Sequence, residues 1–241
     1  MNLIIDIGNS FTKLAIVNNK QIESVERYEK PTPQVLFAFI EKWHPLKAII
    51  SCVGKPNDEI IGYTQTLLPT VVLTNTTKIP IKNNYKTPQT LGIDRIALAV
   101  GANYLYPSTD TLVIDSGTAI TYDFVNRKGE YLGGAISPGI MTRYKSLNQN
   151  TANLPLHDNI DAKVLIGQST IECIESGVLN GVIGEVDYYI EQIKLSYPTL
   201  NIVITGGDAN FFVGKLKNSI FVVQNLVIIG LNRILEFNAE S

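Results

Sequence analysis

The chain has 241 residues, 45% hydrophobic and 17% charged, enough apolar material to bury one large core or two smaller ones. A formal net charge of -2 without any Lys/Arg cluster argues against a nucleic-acid partner, and no run reaches the ~18 apolar residues of a membrane span. Cys52 and Cys173, like His44 and His157, are too few and too far apart for a disulfide framework or a zinc site, so a cytoplasmic protein with reduced thiols is expected.

In chain order, the apolar run Leu3–Ile5 ends at Asp6 and Gly8, and an alternating run follows to about Val17, which predicts strand, tight turn, strand. From Thr32 to Trp43 apolar residues recur at helical spacing, with Thr32 as N-cap and Pro33 at the first helical position. Lys47–Val53 predicts a buried strand, Ile60–Leu68 a helix and Thr70–Thr74 another strand, while the polar stretch Asn75–Thr90, with Pro80 and Pro88, reads as loop. Helical spacing resumes at Asp94 in DRIALAVGANYLY. A second half opens near Thr109 with another hairpin, a third strand ending near YLGGAISPGI, a helix from Ile140 to about Asn148, and a longer one from Ser169 or Thr170 to about Leu195. Gly177, Gly181 and Gly184 in that longer helix suggest close approach of another backbone, since packing must offset their low helix propensity. The strand Asn201–Thr205 delivers Gly206–Asp208, and a last helix runs from about Asn225 to Phe237. Alternating strands and helices make this an α/β chain, with domains expected at residues 1–108 and 109–241.

The two hairpins are copies of one pattern. Ile5, Asp6, Gly8 and Thr12 fall on Ile114, Asp115, Gly117 and Thr121. Backbone amides of a glycine-containing turn form an anion-binding concavity, and Asn9, Ser10, Thr12, Thr118 and Thr121 add polar donors. Lys13 supplies a positive charge in the first copy, where the second reads Tyr122. An aspartate next to a polyphosphate needs a cation between them, so Asp6 and Asp115 imply metal. Neither G-x-x-x-x-G-K-[ST] nor a post-strand G-x-G-x-x-G occurs, which excludes P-loop and Rossmann readings.

Duplicated acidic hairpins with a TGGD loop resemble the acetate and sugar kinase, Hsp70 and actin superfamily, which implies two tandem ribonuclease-H-like domains with an interdomain cleft. YKTPQTLGIDR from Tyr85, IDSGTAITYD from Ile114, GGAISPG from Gly133, GQST ending at Thr170 and TGGD from Thr205 resemble, in order and spacing, the bacterial type III pantothenate kinases over essentially the whole chain. The resemblance implies an ATP-dependent kinase that phosphorylates pantothenate at the entry to coenzyme A synthesis. It implies that Asp6, Ile7, Gly8, Asn9, Ser10, Phe11, Thr12 and Lys13 wrap the ATP phosphates and that Thr118 touches ATP from the second domain. Asp115 then coordinates potassium or ammonium, Asp94 is the general base, and Tyr85, Gly92, Ile93, Asp94, Arg95 and Thr170 contact pantothenate. Magnesium accompanies ATP, and the family implies a homodimer, for which the glycine-bearing helix is a candidate contact. Ser10 stands where the family usually has Thr.

The roles of Asp94 and Arg95 also make sense from chemistry, whereas those of Tyr85 and Thr170 rest mainly on the resemblance. Phosphoryl transfer to an alcohol needs positioning, charge neutralisation and a group to accept the hydroxyl proton, which Asp94 can supply. Arg95 offers a carboxylate two parallel hydrogen bonds, a geometry Lys lacks. Two alternatives stand beside this one: a same-fold kinase for a sugar or acetate, and a nucleotide-binding regulator.

Overall fold

The computed structural model describes residues 1–54, 57–161 and 164–239. Its contacts divide the chain into two units: residues 1–107, 129–131 and 225–241 form unit 1, and residues 108–128 and 132–224 form unit 2. Among the described residues no helix is long and apolar enough to cross a membrane.

Unit 1 opens on β1 (Asn2–Ile7), β2 (Thr12–Asn18) and β3 (Gln21–Tyr28), followed by α1 (Pro33–Trp43), β4 (Lys47–Cys52), α2 (Asp58–Leu67), β5 (Thr70–Val72), β6 (Lys82–Asn83) and α3 (Ile93–Leu105). The first three strands form an antiparallel meander, and β4 and β5 add in parallel, giving the sheet order β3-β2-β1-β4-β5. Strand alternation sends Leu3, Ile5, Leu14 and Ile16 to one face, where they bury against Leu36, Phe39 and Ile40 of α1 and Ile60 of α2. Thr32 caps α1 as expected, accepting from the Val35 amide at 3.4 Å, and Asn57 caps α2. The opposite face of β1 and β4 meets α3 and the last helix of the chain.

Unit 2 contains β7 (Thr111–Ser116), β8 (Ala119–Val125), most of β9 (Glu130–Pro138), α4 (Ile140–Asn150), α5 (Thr170–Ser196), β10 (Asn201–Thr205) and β11 (Phe221–Val222). Strands run in the order β11-β10-β7-β8-β9, with β7 and β8 antiparallel and β10 parallel to β7. At its start, Glu130 and Tyr131 of β9 pair in parallel with β6 and count with unit 1. Ile114, Ile120 and Tyr122 of the sheet bury against Ile174, Val178, Val182 and Val186, a stripe of α5 spaced every four residues. That helix starts with a full capping box: the Ser169 hydroxyl accepts from the Glu172 amide, and Glu172 accepts in return from the Ser169 amide at 3.2 Å.

The last helix, α6 (Leu226–Ala239), counts with unit 1 although its sequence lies beyond unit 2, whereas the sequence reading grouped it with residues 109–241. Its backbone touches that of α3. A Cβ at Gly230 would lie 1.8 Å from the Ala97 carbonyl, and one at Gly101 2.7 Å from the Leu226 carbonyl.

Two features depart from the sequence reading. Strand β3 was not expected, because QIESVERY carries no apolar run and is mostly half-exposed. Short elements lie in stretches read as loop, namely β6 and the single turn Pro88–Thr90. In α5 a Cβ at Gly177, Gly181 or Gly184 would meet no atom within 4 Å, so among the described residues these glycines present an open face.

Candidate active site

In unit 1 the antiparallel register sets Asp6 opposite Lys13, and the parallel register sets Asp6 opposite Ser51 of β4. Side chains directly across a ladder share a face, so these three form a row. The turn between the strands, Gly8 to Phe11, closes with the Gly8 amide donating to the Phe11 carbonyl at 3.0 Å, leaving Asn9, Ser10 and Phe11 exposed. Ile7 and Thr12 pair with each other on the opposite face and are buried, so they frame the turn from behind.

Asp94 stands in the first turn of α3, where a negative charge is favoured by the helix dipole. One carboxylate oxygen, Oδ1, accepts from the Arg95 amide at 2.8 Å. The carboxylate folds back over Gly92: a Cβ there would lie 2.5 Å from the same oxygen, so only glycine leaves Asp94 its place. Asp94 is also close enough to Asp6 to change its ionisation. Burial pushes the Asp6 carboxyl up from 3.8 to about 6, Lys13 opposes the rise, the Asp94 charge adds to it, and the nearby Ser51 hydroxyl opposes it. Ser51 Oγ is buried and forms no hydrogen bond of full geometry, so its influence on Asp6 is one of proximity. Arg95, at 5% exposure, is no solvated surface arginine. Tyr85 is half-buried, its ring tilted against that of Tyr131 at 6.1 Å.

Unit 2 gathers three motifs at one end of its strands. Parallel β7 and β10 end together, with Thr205 opposite Asp115 and Asp115 opposite Thr121. This corrects the alignment of the repeats: the second turn is one residue shorter, so the residue facing Asp115 as Lys13 faces Asp6 is Thr121. Tyr122 points to the other face and is buried at 1% exposure. Its hydroxyl donates to Glu185 at 2.8 Å. Gly206, at φ +94°, lies where a Cβ would meet the Ser116 carbonyl at 2.3 Å and the Asp115 carboxylate at 2.4 Å. The turn holding Thr118 is braced from the end of GGAISPG and from α4: the Gly139 amide and the Thr142 hydroxyl donate to the Thr118 carbonyl at 3.0 and 2.6 Å. Burial holds the Asp208 carboxyl above its usual range.

Ser137, Arg143 and Glu185 were not singled out in the sequence, yet they lock this region together. Ser137 and Arg143 donate to opposite oxygens of Glu185 at 2.5 and 2.6 Å, tying β9 and α4 to the middle of α5. Burial works against the Glu185 charge, but Arg143, Ser137 and Tyr122 together keep its carboxyl below the usual range. No sequence signal marks such a network, because its members are far apart along the chain. Thr170, exposed at the start of α5, lines an open, mostly apolar cavity of about 950 Å³ within unit 2, with Pro138, Arg143 and Leu154 among the walls.

For metal, Asp6 is a fitting ligand: its charge is held back by burial and by a second carboxylate, a strain a divalent cation relieves. Among the described residues no group of three or more His, Cys, Asp or Glu is arranged as a metal cage. Magnesium carried by phosphates needs only one or two carboxylates. Asp115, an anionic oxygen packed against the main chain at Gly206, fits a cation as well.

Comparison with known proteins turns this geometry into a family. A family model for type III pantothenate kinase matches residues 2–192. The type III pantothenate kinase of Porphyromonas gingivalis strain W83 is 42% identical over 241 residues, covering 98% of both chains. Among solved structures, a Campylobacter jejuni protein assigned to the Baf family of transcriptional activators superposes with a TM-score of 0.65 at 22% identity, covering 99% of this chain and 100% of that one. A glucokinase from an Antarctic psychrotroph gives 0.57 at 15% identity over 98% of both chains, which places the fold among the sugar kinases and actin-like ATPases with their ribonuclease-H-like units. The chain belongs to the type III pantothenate kinase family.

Proposed function

We propose that this protein transfers the terminal phosphoryl group of ATP to the primary hydroxyl of pantothenate, the first step of coenzyme A biosynthesis, with Asp94 as the general base. Family membership supports the reaction; the residue roles are supported by one observation, that Asp94 and Lys13 each lie within electrostatic reach of Asp6. The exposed turn Asn9–Phe11 presents polar groups to the phosphates, and Lys13 neutralises part of their charge. Magnesium, bound with the nucleotide, supplies further charge neutralisation, and Asp6 would hold it. Asp94 receives the proton of the attacking hydroxyl, and its helix N-terminus keeps the carboxylate fixed while it does so. Arg95 and Tyr85 orient the acceptor, Arg95 through its carboxylate.

In unit 2, Thr118 contributes a phosphate contact, Asp115 holds a monovalent cation, potassium or ammonium, and Thr170 contacts pantothenate. The protein works in the cytoplasm as a homodimer joined through the open glycine face of α5. The exposure of Gly177, Gly181, Gly184, Tyr188 and Leu195 along one stripe of that helix supports the last point.

Release of ADP, followed with pantothenate, glucose or acetate as acceptor, tests the reading. Turnover is expected with pantothenate alone, and Asp94→Asn should cut kcat by roughly 100- to 10,000-fold with little change in ATP affinity. Turnover of the Asn variant near the wild-type rate would remove Asp94 from the role of base.

A further inference from the structure

The polar row of unit 1 extends one strand further than the motif. In the β2/β3 register Lys13 lies opposite Arg27, so Ser51, Asp6, Lys13 and Arg27 stand in line across four strands on one face of the sheet. Two like charges directly opposite each other in a ladder repel and cost stability. No anionic group among the described residues offsets this for Arg27. It makes no hydrogen bond or ion pair there, and the neighbouring Glu26 points the other way, accepting from Tyr28 at 2.5 Å and from Lys42 of α1 at 3.3 Å. Lys13 likewise makes no hydrogen bond or ion pair among the described residues, its one recorded partner being the nearby charge of Asp6.

What Arg27 does touch is Phe11. Its guanidinium carbon lies 4.5 Å from the centroid of that ring, and Phe11 is the exposed last residue of the turn between β1 and β2. Contact with the ring restrains the guanidinium without using its hydrogen-bond donors, and arginine grips phosphate with two parallel hydrogen bonds from those donors. An arginine held by an aromatic ring at the rim of a glycine turn, beside a lysine, is an incomplete charge pattern. A polyanion completes it.

We propose that Arg27 is a second phosphate-binding cation of the nucleotide site, acting beside Lys13, and that Phe11 is its positioning residue. The proposal rests on the reading of Asp6–Lys13 as the phosphate turn and adds to it a residue from a strand outside the motif. Arg27 contacts phosphate oxygens, and the ring of Phe11 acts only through Arg27.

The test measures the ATP KM at saturating pantothenate and magnesium for Arg27→Ala, Arg27→Lys, Phe11→Ala and Lys13→Ala, with calorimetric binding of ADP and of adenosine to each. Loss of a charge-assisted phosphate contact should raise the ATP KM about tenfold in Arg27→Ala and weaken ADP to a similar degree, with kcat within about twofold and adenosine binding unchanged. Arg27→Lys should recover part of the loss, and Phe11→Ala should show a smaller rise of about two- to fivefold. If Arg27→Ala leaves the ATP KM unchanged while Lys13→Ala raises it, the proposal fails and the phosphate turn stands. Equal weakening of ADP and adenosine would make Arg27 structural and overturn the proposal too. If neither cation matters, the turn itself has been misread and the proposal falls with it.

Discussion

A carboxyl group that folds partly away from water beside a second carboxylate holds its proton more tightly than it does in the unfolded chain. Asp6 is in that position, raised to about 6 from 3.8. The sign follows: the extra proton affinity favours the folded state fully below the unfolded value, and the benefit is lost as pH rises through about 6. Asp6→Asn should therefore stabilise the ligand-free protein at pH 7.5 by on the order of 1–2 kcal/mol and bring no gain near pH 4, as read by urea denaturation at the two pH values. A gain of equal size at both would mean that charge is not the cause. Asp6, Lys13 and Asp94 could be picked out from sequence because each sits in a short motif whose residue types already state a chemistry. Ser51 and Arg27 could not, and Thr121, recognised as a donor, could not be placed opposite Asp115, since these positions depend on strand register, and register is set by pairing between separate segments of the chain.

Among the elements, the helices were legible because caps and periodicity are local. Thr32 before Pro33 and Ser169 with Glu172 mark two helix starts within a few residues. Strand β3 was not legible, because a half-exposed strand on the edge of a sheet shows little hydrophobic contrast. Glycines carried opposite meanings that the sequence does not separate. At Gly230 the neighbouring backbone is already in contact, so Gly230→Ala must push α6 away from α3. The cost should be about 1–3 kcal/mol, seen as a fall in Tm of roughly 3–10 °C. At Gly181 the space is open, and alanine should stabilise the isolated subunit by up to about 1 kcal/mol through helix propensity. A Gly230→Ala protein with unaltered Tm would show that the two helices have room to separate at little cost.

At the scale of the whole molecule, the open face of α5 is where a larger side chain has a consequence beyond its own helix. For the homodimer proposed above, Gly181→Leu should leave folding intact and shift the protein from dimer to monomer in sedimentation velocity, since a bulky group there blocks close approach of a second copy. A dimer that persists in this variant would place the contact elsewhere. The chain path adds its own constraint, because α6 packs with unit 1 after the chain has built unit 2. A protein truncated before Leu226 would expose the faces of α3 and β1 that α6 covers.

By itself the sequence determined the chemistry on offer: a duplicated acidic hairpin, a lysine in one copy only, an aspartate and arginine opening a helix, and a family signature read in order along the chain. These are local patterns, written in adjacent residues. Tertiary structure alone decided that Thr121 rather than Tyr122 faces Asp115, that Asp94 alters the ionisation of Asp6, that Arg27 joins the row with Lys13, and that the last helix returns to the first unit. Each of these depends on which distant segments pair and pack, a choice made by burying apolar faces together and satisfying the backbone across strands, and no short stretch of sequence carries it.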